Sequence, residues 1–90
     1  MSQVTDTEFD TIRVNSGFGE EQAPALRALV DGFTQASEAG DPVGATKQAY
    51  AAWSSQYGAV DATVLHNVAN ALDAAGKSDV ANNVRAAMVS

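Results

Sequence analysis

One histidine, eleven carboxylates and no cysteine make up most of the chain's stock of chemically capable side chains. His66 stands between Leu65 and Asn67, with Asp61 five residues before it and Asp73 seven after. A metal site needs several ligands converging on one point, so this lone imidazole reads as a solvated surface group. The acid pairs Asp6/Asp10 and Glu20/Glu21 could exchange protons with a substrate only if burial split their pKa values. Both pairs stand at helix starts, where negative charge meets the positive end of the helix dipole, so they read as solubilising groups. Gly17-Phe18-Gly19 has neither a strand before it nor a Lys-Ser/Thr pair after it, and a phosphate loop needs both. No nucleophile elbow, Walker loop, calcium loop or His-Glu-x-x-His pattern occurs. The expectation is a protein that is not an enzyme and carries no cofactor or metal.

The aromatic spacing carries more information. Tyr50, Trp53, Tyr57, Val60 and Val64 advance in steps of three, four, three and four, and Val68 and Leu72 continue in fours. Upstream, Leu26, Leu29, Val30 and Phe33 fall at i, i+3, i+4 and i+7. Each set forms one apolar stripe on a helix. Aromatic residues in such a seam serve most often as core or as the anchors of a partner interface. These nine residues, Leu26 to Phe33 and Tyr50 to Val64, are the expected partner-facing set. A ligand-stacking surface built from Tyr50 and Trp53, with His66, is the alternative.

These stripes need elements to hold them. Thr5 fits a helix N-cap, Glu8 closes a capping box with it, and Val4 can staple onto Phe9. A helix of about two turns is expected there, with a β-like segment through Thr11 to Val14 as the alternative. Asn15-Ser16-Gly17-Phe18-Gly19 is a break. A second helix runs to Ala39, its regular part starting near Gln22 or Ala23 because Pro24 suits only a first turn. Then comes a stop and an immediate start. Gly40 suits the left-handed residue that ends a helix, Asp41 the next N-cap, and Pro42 the first helical position, with Gly44 following. Pro42 to Ala75 is the longest periodic segment, interrupted by Gly58 at a cost of about 1 kcal/mol against alanine. Gly76 and Ser78 mark a second, shorter break before a last helix over 79–89 that carries Val80, Val84 and Met88 on one face.

Ninety residues make one domain. The net charge of −6 comes with five scattered cations and no basic stripe, which argues against nucleic acid and against anionic membrane surfaces. No apolar run of about 20 residues exists to enter a membrane. The first ten residues carry acids rather than an apolar run, so no Sec-type signal peptide is expected. A helix of about 34 residues would be roughly 50 Å long, twice the width of a compact chain of this size. Either Gly58 breaks that segment, or the molecule is an elongated all-α antiparallel hairpin with its turn near residues 40–41. In the hairpin, the first arm runs over about 5–39 with a break at 15–19, and the second over about 42–76. A hairpin leaves Tyr50, Trp53 and Tyr57 partly wet, which asks for a second copy and a four-helix bundle. A compact monomer of four or five short helices competes with it.

Pro42-Val43-Gly44 followed by Ala49-Tyr50, in an acidic, alanine-rich chain without cysteine, resembles the WXG-motif superfamily of type VII secretion. Gly44 takes the place of the motif glycine, and Pro42 stands where that family has tryptophan. The run from Trp53 through Leu72 to Gly76 is also similar to the related excreted-factor branch. The resemblance implies a helical hairpin that pairs with itself or a sibling small helical protein, contact with a secretion ATPase, and export without a signal peptide. Tyr57-Gly58-Ala59-Val60-Asp61 matches that family's Tyr-x-x-x-Asp/Glu export motif through Tyr57 and Asp61. The expected location is therefore secreted or cytoplasmic, and the expected role a helical interaction protein acting through dimeric packing. A compact helical adaptor is the runner-up, and a small-molecule-binding helical domain the third reading.

Overall fold

Residues 4–89 are described by a computed structural model, and five α-helices account for most of them. The first, α1 (Asp6–Ser16), starts where the capping box places it. The Thr5 N–H donates to Glu8 Oε1 at 2.9 Å, and the Glu8 N–H donates to Thr5 Oγ1 at 3.2 Å. This helix runs through Thr11 to Val14, so the β-like alternative is not taken up. Its end is set by Gly17 at φ +80, from which the chain turns back and Phe18 N–H reaches the Arg13 carbonyl.

A single 3-10 turn (Glu20–Gln22) leads into α2 (Ala23–Ala36), which has Pro24 in its first turn. The helix ends four residues before Gly40, and Gly40 keeps a φ outside the left-handed region. Its expected role as a left-handed stop is thus corrected. Ser37 N–H bonds to the Phe33 carbonyl, Glu38 N–H to Gln35 and Ala39 N–H to Ala36, so the last carbonyls are satisfied by a tightening turn.

The start of α3 (Pro42–Tyr57) follows the local chemistry. Asp41 Oδ1 accepts from Gly44 N–H at 3.2 Å, and Pro42 occupies the first turn. A Cβ on Gly44 would fall 2.3 Å from Asp41 Oδ2, so glycine leaves room for the capping carboxylate.

Of the two alternatives for the second arm over 42–76, the one broken at Gly58 is found. It is two helices, α3 and α4 (Ala62–Ala74), separated by four residues from Gly58. Gly58 sits at φ +96, ψ 149, a conformation that any other residue would adopt only under strain. From there α4 turns away, Gly76 ends it at φ +83, and α5 (Ser78–Val89) follows.

The first arm has its break between α1 and the 3-10 turn. α1 packs chiefly on α4 and only lightly on α2, while α2 packs on α3 across the Asp41 turn. α5 lies against both α3 and α4, which do not pack on each other. The extents are 31 × 27 × 19 Å, far short of the roughly 50 Å that an unbroken second arm needs. Ile12, Leu26, Val30, Phe33, Val68 and Leu72 are fully or almost fully buried at the centre.

Ion pairs tie the periphery. Arg27 donates to the Val4 carbonyl at 2.8 Å, pairs with Asp31 at 3.3 Å and Asp6 at 3.6 Å, and lies over the Phe9 ring. Lys77 reaches Glu8 at 3.5 Å, and Arg85 binds Asp73 and Asn70. The Thr5 backbone N–H, with Lys77 beyond it, holds Glu8 below its ordinary 4.5. The Arg85 guanidinium, with Ser78 behind it, holds Asp73 below 3.8. Depressed carboxylates stabilise the fold fully above their unfolded pKa and lose that contribution as pH falls through the folded value. The melting temperature is therefore expected to fall as acid carries the protein below pH 4.5 and then below 3.8. In Asp73→Asn that fall is smaller, as circular dichroism melts across the same range will show.

Candidate functional site

The apolar seam expected to face a partner is spent mainly inside the chain. Leu26, Leu29, Val30 and Phe33 are at most 1% exposed. Trp53 is 8% exposed, and its Nε1–H donates to the Ala25 carbonyl at 2.9 Å, which fixes α3 to the start of α2. Tyr50 and Tyr57 flank Trp53 with ring centroids 6.1 and 5.4 Å away. Only Tyr57, 45% exposed, carries the seam to the surface, while Val60 and Val64 are half-buried. Of the turn residues, Gly40 and Asp41 are exposed and Pro42 and Gly44 half-buried. His66 is exposed, and no group of metal-ligating side chains forms among the described residues.

The break at Gly58 opens a different feature. Because α3 and α4 diverge there, a cleft of about 340 Å³ lies between them and α5. Thr46, Lys47 and Tyr50 line it from α3, and Val60, Ala62 and Leu65 from the linker and α4. Val84, Ala87 and Met88 close it from α5, and Phe33 of α2 is its floor. Tyr50 shapes one edge. Its hydroxyl accepts from the Val60 N–H at 3.0 Å and donates to the Val60 carbonyl at 3.3 Å, clasping the linker in place.

The side-chain hydroxyls of the lining are committed to the fold. Thr46, 1% exposed, donates its hydroxyl to the Pro42 carbonyl at 2.7 Å, as a mid-helix threonine does to the turn before it. Tyr50 is occupied by Val60 on both counts. Among the described residues Lys47 is the lining's single charged residue and makes no ion pair; it is exposed, whereas Arg13, Arg27, Lys77 and Arg85 all pair with carboxylates. Such a concavity can take up apolar matter and present one cation to it.

Sequence reasoning named Tyr50, Phe33 and Val60 but missed Thr46, Lys47 and Leu65. Thr46 and Lys47 stand four and three residues before Tyr50, which places them on its face of α3. That spacing was the available signal, and their polarity hid it. No protein family, curated protein or solved structure matches the chain.

Proposed function

We propose that this protein is a non-enzymatic helical binding module whose working surface is the cleft between α3, α4 and α5. The observation that carries the reading is the pairing of apolar walls with a cleft volume of about 340 Å³. That is within the range of about 300–1,000 Å³ in which small-ligand pockets fall. A dry cavity of about 150 Å³ accepts benzene, so this one suits an apolar body of roughly a dozen heavy atoms. Decan-1-ol is a direct probe. Methyl NMR during its titration is expected to move Val60, Leu65, Val84 and Met88 together, saturably, with Val14 and Val89 still. Shifts spread evenly over the exposed apolar residues would defeat the reading.

The second reading is the paired, type VII-like interaction protein that the resemblance implies. It is favoured by one observation: Tyr57 and Asp61 are both exposed, and the residues between them lie outside any helix. A receptor could reach such a segment in the folded protein. In a host with type VII secretion machinery, Tyr57→Ala should then abolish appearance of the protein in the medium at unchanged cellular level. Equal export of both forms would remove this reading.

A further inference from the structure

Resting on the cleft reading above, we infer that the ligand is an apolar monocarboxylate whose body lies over Phe33 and whose carboxylate meets Lys47. The inference follows from which polar atoms the lining has left to offer. A bound polar group gains only if it meets a partner that the fold has not already used, because leaving it unpaired costs its full desolvation. Thr46 and Tyr50 have given their hydroxyl protons to the Pro42 and Val60 carbonyls. Among the side-chain donors of the described lining, what remains toward a ligand is the Lys47 ammonium, a flexible point charge with three donors.

Three features select the ligand's class. Among the described residues the lining carries one positive charge and no carboxylate, so an anionic head is attracted and a cationic head meets like charge. Lys47 is exposed while Phe33, Leu65 and Val84 are buried, so the charge sits at the mouth and the apolar body runs inward. The chain as a whole carries −6, which disfavours polyanions at low salt and leaves a single carboxylate the least repelled anion. A fatty acid of medium length or an aromatic acid of similar bulk satisfies all three.

Among the described residues the Lys47 ammonium makes no hydrogen bond or ion pair, so Lys47→Gln should leave stability unchanged and isolate its effect on the ligand. The probes are decanoate, decan-1-ol and decyltrimethylammonium, each below its micellar concentration and followed by chemical shifts of the cleft methyls. An exposed ion pair of this kind is expected to favour decanoate by up to about fivefold over its binding to Lys47→Gln. That advantage should shrink as salt is added. Decan-1-ol should bind both forms equally, and decyltrimethylammonium should bind the wild-type chain more weakly than Lys47→Gln. If decan-1-ol and decanoate both occupy the cleft but Lys47→Gln changes neither, the carboxylate assignment is overturned and the cleft reading stands. If neither probe moves the cleft methyls, both are overturned.

Discussion

Phe33→Ala is expected to lower the unfolding free energy by about 3–5 kcal/mol, the usual cost of truncating a buried phenylalanine. Phe33 is 1% exposed and belongs to the central cluster. It is also the cleft floor, so the space it vacates joins the cleft instead of remaining sealed. Water can then enter, which draws the cost toward the lower end of that range. Domains of this kind hold roughly 0.05–0.15 kcal/mol per residue, so the loss consumes a large part of the total. Urea titration should show a markedly lower midpoint at an unchanged slope. A decrease below about 1 kcal/mol, the level of ordinary surface changes, would mean that the helices do not converge on Phe33.

Trp53→Ala is expected to cost a similar amount, about 3–5 kcal/mol, for a different reason. Trp53 spans α3 and α2: its ring is sandwiched by Tyr50 and Tyr57, and its Nε1–H reaches the Ala25 carbonyl. Truncation removes the ring packing and the hydrogen bond together. Trp53→Phe separates the two, since it keeps an aromatic body and loses the donor, at about 1 kcal/mol for the bond together with any volume left unfilled. Because these contacts lie within one chain, neither loss should depend on protein concentration. In a bundle of two hairpins, both would.

Local chemistry was the most legible layer of the sequence. Thr5 with Glu8 and Asp41 with Pro42 act through groups within four residues of themselves, so their geometry follows from residue type alone. Gly76 succeeded for the same reason. Gly40 failed although its type was right, because hydrogen bonding in the turn after Ala36 satisfies the free carbonyls first. The second arm stayed open between two forms for a longer-range reason. Tyr50 to Leu72 keep helical spacing across the Gly58 break, and a periodic stripe cannot show whether the backbone beneath it is continuous. What decides the break is Gly58 at φ +96 together with the Tyr50 hydroxyl holding Val60, a contact across ten residues. The same limit hid the cleft. Its walls come from three helices whose mutual placement depends on that linker, and Lys47 has no mark in the sequence except its distance from Tyr50.

The aromatic seam closes inside a single chain, and the proposed ligand cleft between α3, α4 and α5 depends on that closure. Trp53 is the chain's only tryptophan, so its fluorescence reports that closure without labelling. On dilution from high micromolar to low nanomolar concentration, the emission should stay blue-shifted and constant, as for an indole held against its own Ala25 carbonyl. A red shift on dilution would show that another chain covers Trp53, and would overturn closure within one chain.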